Sequence, residues 1–369
     1  MSSPTLTDPS TATPIARWRD ARQTRTALVL GGAALFAIAS ALVLIAVVGV
    51  PIGDALAAFA DGAWGSAYSI GASINRSLAF SLVGIGFVLA DRARLTNVGG
   101  EGQIAIGGIV ATAVSLYGGA GHLPFGFAFI VPMVAAALAG AAWGAVPGVL
   151  KAKAGTNEVI STLLLSFIAV WLLYWCVQSE ALLRQPMSNA STLPESLEIP
   201  DVTKLPLLAS TTSIGLHIGL PLTLALGIAV AVMLKRTRFG MHLRAVGFNP
   251  IAARRAGMPI TGTIVGALAL AGAFGGLAGA LMLQGDQYSL KAGFSSGYGF
   301  DGLVVGLLAR GSVTGVFAAA LLFGFLRSGG INMEMVAQVP SAIVLIVQGI
   351  VIVSLAGGSW WLDKQGATR

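Results

Sequence analysis

Ala27-Leu28-Val29-Leu30-Gly31-Gly32-Ala33-Ala34-Leu35-Phe36-Ala37-Ile38-Ala39-Ser40-Ala41-Leu42-Val43-Leu44-Ile45-Ala46-Val47-Val48-Gly49-Val50 carries no charge from end to end. An α-helix rises about 1.5 Å per residue, so about 20 apolar residues cross the hydrocarbon core of a bilayer. This stretch is longer than that, and it decides the fold class: an all-α, polytopic transmembrane protein. The rest of the chain agrees. Of 369 residues, 55% are hydrophobic and only 10% charged, against about 25% charged in a soluble domain. About ten spans fall near 27–50, 67–90, 103–120, 123–150, 158–178, 213–234, 262–285, 299–310, 313–328 and 340–356. The membrane domain therefore covers 27–356. Residues 1–26, with Arg17, Arg19, Arg22 and Arg25, read as a disordered cytoplasmic tail, because the apolar run behind them is too long for a signal peptide. Residues 357–369 read as a second cytoplasmic tail.

The cations set the orientation. With the N-terminus inside, only Arg76, Arg184, Lys204, Lys291 and Arg327 face outward, and the rest of the 22 Lys and Arg face inward. That bias follows the positive-inside rule and puts both termini in the cytoplasm. The net charge of +7 is then a topology signal. It does not point to nucleic acid, since the aromatics lie in apolar runs and are not interleaved with Lys and Arg. The single Cys176 excludes an internal disulfide and a multi-cysteine metal site, and reads as a small core residue. Glycines spaced by four, Gly140-Gly144-Gly148, Gly262-Gly266 and Gly272-Gly276, are expected to let helix backbones approach closely.

Two spans look short or interrupted. The second carries Asn75 and Arg76, leaving only 77–90 cleanly apolar, and the eighth, 299–310, is too short for a full crossing. Broken helices, one in each half, point to a transport site in a protein of pseudo-symmetric halves. The halves divide near a basic loop, 235–261. Within it, Asn249 suits an N-cap and Pro250 the first helical position, while Gly257 and Pro259 stop the helix. The spacing predicts a helix of about two turns bearing Ala252, Ala253 and Ala256 with Arg254 and Arg255. Its alanine face suits close docking in a groove of another protein. The outward connection 179–212, with Pro186, Pro194, Pro200 and Pro206, is a candidate contact for an external partner.

Two further segments place polar groups where a membrane helix begins. Leu95-Thr96-Asn97-Val98-Gly99-Gly100-Glu101-Gly102-Gln103 sets a carboxylate and two amides among glycines, which is costly in a membrane unless those groups find partners. Gly155-Thr156-Asn157-Glu158-Val159-Ile160 offers Thr156 or Asn157 as a cap, with Glu158 in the first turn.

With the loop Arg244 to Gly257, these segments resemble the permease subunits of bacterial ABC importers, in the branch that handles nucleosides and simple sugars and is related to branched-chain amino acid and ribose permeases. The Phe-Asn-Ile-Gly-Ala-Glu-Gly-Gln element of that branch is matched by Thr96 to Gln103. Its Gly-Thr-Asn-Glu-Val-Ile is matched without change by Gly155 to Ile160, and its Arg-Ala-Val-Gly-x-Asn-x-x-Ala-Ala by Arg244 to Ala253. With Gly299-Phe300-Asp301-Gly302, the likeness covers roughly 60–350. Thr96 stands where an aromatic is usual, and Ser166-Phe167 where Asn-Tyr is common; both departures bear on substrate choice.

The resemblance implies that Arg244, Gly247, Asn249, Ala252, Ala253, Arg254 and Gly257 form a coupling helix that enters a cleft of a cytoplasmic ABC ATPase. It further implies a heterodimer with a second homologous permease, a lipoprotein substrate-binding protein outside, and a place in the bacterial cytoplasmic (inner) membrane. No Gly-x-x-x-x-Gly-Lys-Ser/Thr occurs in the chain, so ATP and Mg belong to the partner ATPase, and this chain is expected to bind no cofactor and to be no enzyme. Candidates for the substrate path are Asn97, Glu101, Gln103, Asn157, Glu158, Tyr298, Phe300 and Asp301, with Tyr298 and Phe300 offering an aromatic face. The Asn97 segment is expected near the cytoplasmic side, as a gate. The alternative for Glu101, Asp301 and Glu158 is that they cap helices and bond internally.

Two rival classes are weaker. An ion-coupled secondary transporter of a small polar solute needs carboxylates or His within the membrane, and Glu101, Asp286, Asp301 and Glu334 all lie near expected span ends. For an enzyme, Gly293-Phe294-Ser295-Ser296-Gly297 matches a nucleophile elbow in form, but no strand precedes it. His122, His217 and His242 are isolated.

Overall fold

The computed structural model describes residues 31–357, apart from 33–34, 125, 187–193, 209–212 and eight positions between 341 and 356. The tail expected at 1–26 and, but for Gly357, the one at 357–369 lie outside the described residues. The chain order is α1 (Leu35–Val48), α2 (Ile52–Trp64), α3 (Ala67–Asp91), α4 (Gly100–Tyr117), α5 (Phe127–Ala154), α6 (Glu158–Gln178), α7 (Gly219–Arg236), α8 (Arg238–Phe248), α9 (Pro250–Arg255), α10 (Ile260–Met282), α11 (Tyr298–Leu308) and α12 (Val313–Ala337). Among the described residues there are only isolated β-bridges and no strand. Phe59–Gly329 packs as one compact unit, and the residues up to Ala58 with those from Gly330 form another. In the latter, Asn332 Nδ2 donates to the Ala58 carbonyl at 2.7 Å.

Among the described residues six helices are long and apolar enough to cross a membrane: α3, α5, α6, α7, α12, and α10 with its continuation to Gln287. The protein is multi-pass. The ten spans expected from the sequence are not reached by length and apolarity alone: α1 and α11 are shorter apolar helices, and α4 opens on Glu101 and Gln103. Two expectations need correction. The second span is not interrupted at Asn75 and Arg76, because α3 runs unbroken for 25 residues. There Asn75 Nδ2 reaches the Gly215 carbonyl at 2.9 Å, and Arg76 Nη1 reaches Ser328 Oγ at 2.7 Å. The real discontinuity follows α3, in residues 92–99. The ninth expected span, 313–328, is also too short, since α12 continues to Ala337.

Glycine contacts fix how the helices lie. A Cβ on Gly140 or Gly144 of α5 would overlap the Gly272 or Leu268 carbonyl of α10, and one on Gly276 would overlap the Ala136 carbonyl. The pairing runs in opposite directions along the two helices, so α5 and α10 are antiparallel at backbone contact. On another side of α10, Gly275 lies against Gln103, and Gly107 against the backbone of Gly276. The expectation for Gly272-Gly276 and Gly140-Gly144-Gly148 holds. Gly262 differs, since its nearest neighbour is Pro259 Cβ at 3.9 Å, and Gly266 meets only the Phe239 ring.

The described part of the 179–212 connection is held to the segment beyond α10. Ser196, Ile199 and Leu205 N–H groups donate to the Leu290, Tyr288 and Gln284 carbonyls at 2.8, 2.9 and 2.9 Å. Lys204 bridges Glu198 and Asp201 at 2.5 and 2.6 Å and sits over the Tyr288 ring. Hydrogen bonds to Asp201 and Glu198 hold its ammonium pKa above the usual lysine range.

Candidate functional site

Within the unit Phe59–Gly329 two helix N-termini meet. Helix α11 runs alongside α3 in the same direction: Tyr298 stacks on Phe80 with ring centroids 4.6 Å apart, and Gly306 abuts Phe87. Helix α4 begins beside Val83 and Gly299. Val83 is eight residues from the end of α3, so this junction lies about 12 Å in from that end. Beyond the junction α4 and α11 run in opposite directions.

Both N-termini present N–H groups that their own helices leave unpaired. The Glu101 carboxylate answers this. One oxygen accepts from Gly297 N–H at 2.9 Å and the other from Gly299 N–H at 2.8 Å, while Glu101 itself occupies the first turn of α4. A carboxylate between two positive helix ends is favoured by both dipoles. Gly299 permits the approach, because a Cβ there would overlap the backbone of Glu101.

The segment leading to this junction is non-helical and must also satisfy its backbone, since unpaired N–H groups inside a bilayer cost several kcal/mol. Helix α6 does so with acceptors at every fourth position. Thr162 Oγ1 accepts from Val98 N–H at 3.2 Å and Ser166 Oγ from Gly102 N–H at 3.3 Å, with Glu158 one turn earlier on the same helix. Glu158 pairs with Lys151 at 2.8 Å, and Asn157 caps α6 by accepting from Val159 and Ile160 N–H at 2.9 and 3.4 Å. Asn97 and Gln103 bond each other through both amides, and Asn97 Oδ1 also accepts from Gly99 N–H. The two polar motifs of the sequence are thus one structural unit.

Asn97, Glu101 and Gln103 are all buried, with bonding capacity turned inward. Tyr298 is buried too, with Phe80 stacked on its ring and the Arg327 guanidinium 5.1 Å from the ring centroid. Phe300 is exposed and Asp301 half-buried in the first turn of α11. The structure therefore brings Glu101 to the N-terminus of α11, with Asn97 and Gln103 in the same unit. Asn157 stands apart at the exposed start of α6. Thr162 was missed from sequence and Ser166 was marked only for substrate choice, although their spacing from Glu158 places all three on one helical face.

The basic loop folds as two short helices. Thr237 caps α8 through Gly240 N–H, and Asn249 caps α9 through Ile251 and Ala252 N–H at 3.0 Å each. Arg244 donates to the Leu234 carbonyl, fastening α8 to α7. Gly257 ends α9 with φ 79°. The alanine face is not uniform: Ala253 is buried within this chain at 4% exposure, whereas Ala252, Arg254, Arg255 and Ala256 are exposed. Phe248 and Ile251, 83% and 67% exposed, form an apolar ridge that the sequence reading passed over.

Residues 69–356 match the family described as the branched-chain amino acid transport system / permease component. The chain belongs to that family. The permease is 32% identical over 329 residues to a guanosine ABC transporter permease protein of Bacillus subtilis (strain 168), covering 88% of this chain and 91% of that one. It is 34% identical to a glucose ABC transporter permease protein of Haloferax volcanii, over 76% of this chain and 74% of that one. A nucleoside ABC transporter permease protein of Lactococcus lactis is 29% identical, over 77% and 80%. No solved structure matches the permease. It is the membrane subunit of an ABC importer and not itself an enzyme.

Proposed function

We propose that the permease carries a nucleoside or a related simple sugar across the bacterial cytoplasmic membrane, with both termini inside and about ten spans in two pseudo-symmetric halves. A lipoprotein substrate-binding protein delivers the solute outside, and the permease pairs with a second homologous permease. The similarity to guanosine, nucleoside and glucose permeases supports the substrate class. Two distinct guanosine permease proteins of B. subtilis among the relatives support the heterodimer.

ATP and Mg sit on a separate cytoplasmic ATPase that docks on α8 and α9. The observation that carries this part is the Phe248–Ile251 ridge, large apolar side chains exposed on a capped, basic loop. Arg254 and Arg255 flank it, and Asn249 and Gly257 fix the helix that presents it. Closure of the ATPase then shifts the population between inward- and outward-open states. In the path itself, Phe300 and Asp301 are the candidates left accessible, while Glu101, Asn97 and Gln103 hold the backbone that positions them.

The test is co-purification. Ile251→Asp sets a charge in the middle of the ridge without touching a buried group. A central interface residue contributes about 2 kcal/mol or more, or roughly 30-fold in Kd. The ATPase should fall away from the variant, and ATP-driven uptake with it, at normal membrane levels. Full retention of the ATPase by Ile251→Asp, and equally by Phe248→Asp, sinks the docking assignment.

A further inference from the structure

Arg92, at the end of α3, touches both the docking loop and the turn that ends α11. Its backbone faces α8: a Cβ on Gly247 would overlap the Arg92 carbonyl oxygen and stand 3.1 and 3.2 Å from the backbone of Ala93. Helix α8 therefore lies on the α3 turn at direct backbone contact, possible only because residue 247 has no side chain. The Arg92 side chain points the other way, its Nη2 donating to the Gly311 carbonyl in the turn after α11. Gly311 has φ 76°, and the neighbouring Arg310 has φ 49°. The left-handed conformation there is costly for a residue with a side chain.

Helix α11 is thus held at both ends by one short stretch of chain. Arg92 grips the turn at its C-terminal end, and Glu101 takes the N–H groups at its N-terminal end. The stretch between them is the non-helical segment tied to α6. A displacement of α8 acts on the Arg92–Ala93 turn before it reaches any other part of this unit. The remaining attachments of α8, Gly240 and Arg244 on the end of α7 and Phe239 against Gly266 of α10, reach α11 only through other helices.

We propose that Arg92 and Gly247 are the positioning residues that transmit movement of the docked ATPase to α11, so that the half-helix moves as a unit with the cytoplasmic loop. This rests on the reading of α8 and α9 as the docking site. Neither residue touches solute or nucleotide in this account. Their role is to keep ATP hydrolysis and solute movement in step.

The experiment measures solute uptake and ATP hydrolysis together in proteoliposomes that hold the complete transporter with its ATPase and binding protein. Arg92→Ala removes the grip on Gly311, and Gly247→Ala forces α8 away from the turn. Arg92→Ala, outside the docking helices, should keep the ATPase bound and hydrolysing while solute carried per ATP falls about tenfold or more, and Gly247→Ala should lower the same ratio in the complexes that retain the ATPase. Arg92→Lys, which keeps a cation able to reach a carbonyl, should recover part of that ratio. Instability shows as less assembled complex, so the ratio is compared at matched amounts of inserted transporter with bound ATPase. An unchanged ratio in Gly247→Ala, or in Arg92→Ala, overturns the proposal, and if Arg92→Ala fails to insert, Gly247→Ala decides alone. Loss of the ATPase from wild-type membranes is a different outcome, which contradicts the docking reading itself.

Discussion

Glu101→Gln is expected to remove most solute uptake while the ATPase still co-purifies. The amide occupies the same space, but it keeps a single acceptor oxygen and turns an NH2 group toward one of the two N–H donors. Gly297 and Gly299 now bond to separate oxygens of one carboxylate. Hydrogen bonds to a charged group contribute about 1.5–3 kcal/mol, and a buried N–H left unpaired costs about 1–3 kcal/mol. The junction should lose about 3 kcal/mol, seen as a clear fall in the melting temperature of the detergent-solubilised protein. Uptake should drop about tenfold or more. Glu101→Asp, one methylene shorter, should fail in the same direction because it cannot span both donors. Normal uptake and melting in both variants, at matched membrane levels, would show that the junction is not held this way.

The second large effect is expected at Gly276. This residue stands where α10 is pressed between α5 and α4, against the Ala136 carbonyl on one side and Gly107 on the other. Val at this position has to push two helices apart, and overpacking of a tight core costs about 1–3 kcal/mol even when neighbours can yield. Backbone carbonyls cannot yield, so Gly276→Val should leave little folded protein after extraction. Gly262→Val is the matched control on the same helix. Its surroundings are open apart from Pro259 Cβ, and yield and melting should stay near wild type. Equal tolerance at both positions contradicts the packing described for α10.

The comparison of these two glycines shows what was legible in the sequence. Spacing of four marked Gly262, Gly266, Gly272 and Gly276 alike, since it reports which residues share a helix face and not what lies opposite. Only the fold distinguishes the first pair from the second. The same holds for Asn75 and Arg76. Polar groups inside an apolar span suggested a broken helix, yet Gly215 and Ser328 from elsewhere in the chain partner them and α3 stays intact. The break lies instead where glycines and polar groups cluster, at residues 92–99, and the polar residues there were recognised without their geometry. Glu101 and the start of α11 were both visible, but their contact joins residues almost 200 positions apart. The caps of α9 were legible, because Asn249, Pro250 and Gly257 act locally, whereas the Thr237 cap of α8 was not read. Which face of α9 is free was not: Ala253 turns inward, and Phe248 and Ile251 carry the exposed surface.

The most direct test of the account is its energy source. The permease, reconstituted with its partner permease, ATPase and binding protein, should accumulate guanosine or a simple sugar only when ATP is present. Uptake should continue when ionophores collapse every ion gradient. Uptake that proceeds without ATP and stops with the ionophores would contradict the account and make the protein an ion-coupled carrier.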